Sequence, residues 1–130
     1  MQVRNLDRDA EPFITVDGST IRELLNVVHP PTANQSLAEA TLEPGAATTR
    51  HWHGICEEIY FLLEGTGMME IDGEEREVGP GDAILIPPGA RHQIIAHAGH
   101  RLRFLCCCAP PYRHDDTFLD EGLPASPPGR

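Results

Sequence analysis

No stretch of this chain stays apolar for long enough to cross a membrane as a helix. Its first residues, MQVRNLDRDAEP, also lack the apolar core of a secretory leader. The expected compartment is therefore the cytoplasm, with no membrane partner. Basic residues are scarce: ten Lys plus Arg stand against twenty Asp plus Glu, a formal charge of −10 at pH 7. That balance opposes binding to nucleic acid or anionic lipid. There is no C-x2-C pair, which argues against a structural zinc knuckle. Cys106, Cys107 and Cys108 are consecutive, so neighbouring thiols alternate across a strand and cannot easily bridge one another. Free thiols fit a reducing compartment. At 130 residues the chain has length for one domain with a real core, and no helix-turn-helix stretch or second domain is visible.

Helical periodicity is almost absent too. Pro and Gly instead divide the chain into short extended runs. Residues 13–16 and 20–28 flank Asp17-Gly18, and residues 66–71 and 75–78 flank Asp72-Gly73, both hairpin-type turn signals. Further runs cover 36–42, 50–53, 58–64, 83–86, 91–96 and 101–108. Roughly ten short strands with regular turns predict an all-β fold, a barrel or double-sheet jelly roll. Residues 23–25 also read as a helical turn, but the β-branched residues around them favour strand. We divide the chain into N-terminal strands at 1–33, a barrel at 34–112 and a tail at 113–130. The end of that tail, rich in Pro and Gly from residue 123, is expected to be partly disordered.

Two stretches carry chemistry. Gly45, His51, His53, Glu58 and Gly65 form G-x5-H-x-H-x4-E-x6-G, and Gly81, Pro87, Gly89 and His92 form G-x5-P-x-G-x2-H. Residues i and i+2 of a strand share a face, so His51 and His53 can aim two imidazoles at one point while Trp52 faces away. A third imidazole from His92 and a carboxylate from Glu58 would complete a three-nitrogen, one-oxygen set. Such a set suits one divalent transition metal (Fe, Mn, Zn, Ni or Cu) better than magnesium or calcium. Four protein ligands on a metal that prefers six leave two positions for a chelating small molecule. Glu57 is adjacent to Glu58, but the six-residue spacing to Gly65 and the alternation of the following strand favour Glu58. His29, His97, His100 and His114 read as ordinary surface or core residues.

Together the two stretches resemble the two motifs of the cupin family, and the resemblance extends over about residues 34–112. It departs where Ala96 stands in place of a common asparagine, which bears on loop or pocket hydrogen bonding and not on the metal. The resemblance implies a double-stranded β-helix (jelly-roll) barrel and, with all four presumed ligands present, an enzyme acting on a small chelating organic molecule. Dioxygenase-type oxidoreductase chemistry is the first expectation. The alternatives are a non-redox lyase, isomerase, decarboxylase or cyclase, and a non-catalytic small-molecule binding module. Alternation places Tyr60, Leu62, Ile94, Phe104 and Met68 around the metal, with Leu62 and Phe104 as core packing and Tyr60 as candidate proton carrier. It also turns Cys106 and Cys108 inward. A homodimer is expected, in which a partner covers Phe13, Ile14, Leu24 and Leu25.

Overall fold

The computed structural model describes residues 1–28 and 30–120. His29 and the far end of the tail lie outside the described residues. A single turn of helix, α1 (Leu6–Asp9), precedes eleven strands, with a short 3-10 turn at His114–Asp116. The strands are β1 (Pro12–Ile14), β2 (Thr20–Leu25), β3 (Ser36–Leu42), β4 (His51–His53), β5 (Glu57–Glu64) and β6 (Gly67–Ile71). They continue as β7 (Glu74–Val78), β8 (Ala83–Ile86), β9 (His92–Ala96), β10 (Leu102–Ala109) and β11 (Thr117–Leu119). All pairings are antiparallel. One sheet runs β1-β2-β3-β10-β5-β8 and the other β11-β4-β9-β6-β7, the arrangement of a jelly-roll barrel.

Alternation decides what enters the space between the sheets. On β5, Glu58, Tyr60 and Leu62 are buried while Glu57, Ile59, Phe61 and Leu63 are exposed. Beside them in the same sheet stand Leu102 and Phe104 of β10, and across the core Met69 of β6 and Ile94 of β9, each at most 3 % exposed. Burying side chains of this size contributes about 1.5–3 kcal/mol each. Met68 is a correction: it is half-buried, and Met69 takes the inward place. The face is set by Gly67, where a Cβ would sit 2.5 Å from the Ile95 carbonyl oxygen, so residues 67 and 69 point in.

The turns follow their chemistry. Asp72 and Gly73 both take positive φ, 49° and 92°, in a two-residue hairpin. In the first hairpin Gly18 adopts φ 91° and donates its N–H to the Thr15 carbonyl at 3.0 Å. A side chain there would be strained, so the glycine permits the tight turn that aims Asp17 inward.

Residues grouped above with the tail are partly built in. β11 pairs with β4 in the register Thr117↔His53 and Leu119↔His51. The Asp116 carboxylate accepts the N–H groups of Gly54, Ile55 and Cys56 at 3.1–3.3 Å and so ties down the loop between β4 and β5. The N-terminal side chains also divide: Phe13 and Ile14 are 38 % and 68 % exposed, whereas Leu24 and Leu25 are half-buried. No helix among the described residues is long and apolar enough to cross a membrane.

Candidate metal centre

His51 and His53 project from one face of β4, and His92 stands opposite His51 at the start of β9. Glu58 reaches the same point from β5 in the other sheet. All four are buried, from 0 % exposure at His92 to 4 % at His53 and Glu58. The candidate ligand atoms of the three imidazoles lie within 4.8 Å of one another. Glu58 Oε1 is 3.2 Å from His53 Nε2 and 3.6 Å from His92 Nε2. Glu57 is exposed, as β5 alternation requires.

The hydrogen bonds behind the imidazoles fix their tautomers. His51 Nδ1 lies 2.7 Å from the Thr49 carbonyl oxygen and His92 Nδ1 lies 2.9 Å from that of Ala90. A carbonyl only accepts, so each Nδ1 carries the proton and each Nε2 presents a lone pair. Thr117 Oγ1 gives its own proton to the Arg113 carbonyl at 3.0 Å, so at 3.1 Å it accepts from His53 Nδ1. In the neutral rings, three lone pairs and a carboxylate oxygen therefore face one another inside the barrel. Glu58 Oε1 and His92 Nε2 are buried without a hydrogen-bond partner among the described residues. Burial of an unpaired polar group costs about 1–3 kcal/mol.

A proton can relieve one vertex. The Glu58 carboxylate outweighs the effect of burial and lifts His53 to about 8, and His53 and His92 hold Glu58 well below the usual carboxylate range against its own burial. Burial, and then His92, pushes His51 down to about 4. One proton between His53 and Glu58 still leaves His51 and His92 with lone pairs facing the centre. A divalent cation satisfies all four at once, and the donor set fits a transition metal. Oriented this way, His51, His53, His92 and Glu58 are the residues that would hold it.

A cavity of about 40 Å³ opens onto this point, on a scale where one water needs roughly 10–15 Å³. Tyr60, Phe104, Cys106 and Cys108 line it, while Leu62 and Ile94 belong to the core. The Tyr60 ring packs 4.5 Å from Phe104 and 6.0 Å from His92, centroid to centroid. Burial pushes its phenol well above the usual range, which keeps it a donor. Cys108 donates its S–H to Glu58 Oε2 at 3.3 Å and steadies the carboxylate. Trp52 faces away, stacked 4.5 Å from Phe118 with the Arg91 guanidinium over its ring.

Three residues at the site went unmarked in the sequence. Thr117 orients His53, Tyr112 sets its ring 5.8 Å from that of His53, and Asp17 brings Oδ2 to 3.5 Å from His51 Nε2. Asp17-Gly18 carried only a turn signal, and Tyr112 and Thr117 lie beyond the last periodic run.

The cupin domain family model matches residues 38–108. Among curated proteins, the "Uncharacterized protein MJ1618" of Methanocaldococcus jannaschii is 49 % identical over 111 residues, 85 % of this chain and 89 % of that protein. The tetracenomycin polyketide synthase protein TcmJ of Streptomyces glaucescens is 29 % identical over 77 residues, 59 % of this chain, which thus spans about half (52 %) of TcmJ. Among solved structures, the polyketide cyclase RemF from Streptomyces resistomycificus superposes with a TM-score of 0.73 at 30 % identity, covering 84 % of this chain and 80 % of RemF. Oxalate decarboxylase from Bacillus subtilis gives a TM-score of 0.79 at 25 % identity, over 97 % of this chain but only 34 % of the decarboxylase.

Proposed function

The chain belongs to the cupin family, and on that premise we propose that it is a metal-dependent enzyme performing non-redox proton-transfer chemistry on a small organic molecule. Cyclisation or isomerisation is the reaction type we favour. The observation that carries the metal is the convergence of His51, His53 and His92 Nε2 with Glu58 Oε1, every Nδ1 proton being committed elsewhere. Bound there, a divalent ion supplies Lewis acidity that makes a C–H or O–H beside a coordinated oxygen easier to deprotonate. The remaining work falls to the chain. The barrel excludes bulk water, Phe104 and Tyr60 bound the cavity, and the Tyr60 hydroxyl offers a proton or a hydrogen bond to a substrate oxygen. Tyr60 as proton carrier is thus part of the proposal.

Dioxygenase chemistry was the first expectation. Two things favour the non-redox alternative: a buried phenol held as a donor beside the site, and similarity to a structure described as a polyketide cyclase. The test loads purified protein with zinc, manganese or iron(II) and incubates it with small hydroxy ketones in deuterated water. The proposal expects metal-dependent exchange of carbon-bound hydrogen, read by NMR, with no oxygen uptake. Stoichiometric oxygen consumption by the iron(II) form would restore the dioxygenase reading. Tight binding of a ligand with no exchange under any metal would favour the binding module.

We carry the expected homodimer and the cytoplasmic compartment into the proposal, with a changed surface for the former. Exposed Ile59, Phe61 and Leu63 on β5 lie beside exposed Leu85 on β8, a more continuous apolar face than the N-terminal strands offer. Light scattering at micromolar concentration would give twice the chain mass, and Phe61→Asp would halve it.

A further inference from the structure

Most of the cavity wall outside the matched residues 38–108 is one face of the N-terminal hairpin, with Ser36, Tyr112 and Thr117 completing it. Phe13, Thr15, Asp17, Ser19, Ile21 and Glu23 all line it. These are every second residue, as a hairpin that presents one face requires. The hairpin is fastened to the site. Thr49 N–H donates to the Asp17 carbonyl at 2.7 Å, and Thr15 Oγ1 lies 3.2 Å from the Tyr112 hydroxyl. Within the Asp17 carboxylate, Oδ1 is fully used, accepting Ser19 N–H at 2.9 Å and Ser19 O–H at 2.6 Å. Oδ2 is left facing His51 Nε2 at 3.5 Å. Because the His51 proton sits on Nδ1, that approach sets two acceptors against each other. A metal on His51 Nε2 would satisfy the imidazole and leave Asp17 Oδ2 as an acceptor at the cavity.

Charge narrows what the donor can be. Three carboxylates, Asp17, Glu23 and Glu58, line the cavity, and no arginine among the described residues does. The chain contains no lysine at all. A divalent ion neutralises two of these three charges. A carboxylate substrate would add another negative charge within a few ångströms of Asp17, which in a half-buried setting costs on the order of 1 kcal/mol or more.

We propose that Asp17 Oδ2 is the hydrogen-bond acceptor for the metal-bound substrate and selects neutral molecules with a hydroxyl beside the coordinating oxygen, hydroxy ketones and their enols, over hydroxy acids of the same size. This rests on the metal reading above. Asp17 is then the complement of Tyr60: one wall accepts from the substrate and the other donates to it. The hairpin is the element that sets substrate class, while β4, β5 and β9 hold the metal.

The test uses cobalt-loaded protein and two probes of like shape, acetoin and lactate, with binding read from the cobalt absorption spectrum. Comparing the ratio of the two affinities between proteins cancels the metal's own preference for a carboxylate. In Asp17→Asn, which is nearly isosteric, acetoin should weaken and lactate tighten, so that the ratio moves at least tenfold toward lactate with cobalt content unchanged. Ser19→Ala, which only loosens the carboxylate, should move it the same way by a smaller factor. An unchanged ratio in normally loaded Asp17→Asn would overturn this assignment and leave the metal reading intact. Loss of cobalt from Asp17→Asn would overturn it too, because Asp17 would then be a ligand of the ion. Failure of the unmodified protein to bind cobalt would bring down the metal reading and this inference together.

Discussion

Strands β4, β5 and β9 carry His51, His53, Glu58 and His92 at buried positions inside the two sheets, whereas the β1–β2 hairpin brings Asp17 to the same place from a sheet edge. The difference is one of support. Each imidazole is braced through Nδ1 by a hydrogen bond to a carbonyl or hydroxyl. Among the described residues the hairpin finds a strand partner in β3 alone, every residue of β1 is exposed, and those of β2 are half-buried. A metal demands donors fixed to within a fraction of an ångström, which packed strands supply. Recognition of a substrate tolerates an element that can vary without disturbing the core.

The largest effect should come from the braced side. His92→Ala removes an imidazole that nothing else replaces and should weaken metal affinity by about a hundredfold or more, measured by dialysis against a competing chelator. A loss under tenfold would place the ion elsewhere. Asp17→Asn, on the hairpin side, should leave that affinity unchanged.

Next in size is an effect on stability alone. Glu39 of β3 is 1 % exposed and holds the guanidinium groups of Arg22 on the hairpin and Arg103 on β10 at 2.6–3.0 Å. Removing its charge takes the buried partner from both cations and leaves Arg22 with Asp7 and Arg103 with Glu64, so Glu39→Gln should cost about 2 kcal/mol by urea denaturation. Burial raises the pKa of this carboxyl, but the two arginines outweigh it and the net shift is downward. A depressed pKa gives stability that is present above the unfolded value near 4.5 and is lost as pH falls through the folded one. The stability of the natural protein should therefore drop more steeply than that of Glu39→Gln below pH 4.5. Parallel curves would show that Glu39 ionisation does not contribute to stability.

A smaller change sharpens the division between walls. Thr117→Val deletes the acceptor of the His53 Nδ1 proton at almost constant volume and should weaken the metal about tenfold with little change in the acetoin-to-lactate ratio. The smallest effect belongs to Cys108→Ala. Glu58 then loses a thiol donor at 3.3 Å but keeps its place on β5, and metal affinity should fall only about twofold to threefold.

Much of this site was legible because spacing acts on a rigid period. H-x-H on a strand puts two imidazoles on one face, and counting six residues from Gly65 chose the inward carboxylate over Glu57. The same parity failed at Met68 and Met69. Both are apolar, so alternation groups residues by face without saying which face is inside; the close approach of Gly67 to the Ile95 carbonyl decides it. Asp17 was invisible for a different reason. Asp before Gly is what any tight turn wants, and only the tertiary pairing of Thr49 N–H with its carbonyl turns that Asp toward His51. Thr117 lies past the last periodic run, in a three-residue strand whose pairing with β4 no local pattern announces.

If three imidazole Nε2 atoms and the Glu58 carboxylate hold one divalent ion, X-ray absorption on cobalt-loaded protein will show that shell. The spectrum should give one ion per chain, the outer-shell scattering of three imidazoles, oxygen in the remaining positions and no sulfur. An ion bound through a cysteine sulfur, or with fewer than two imidazoles, would contradict that coordination.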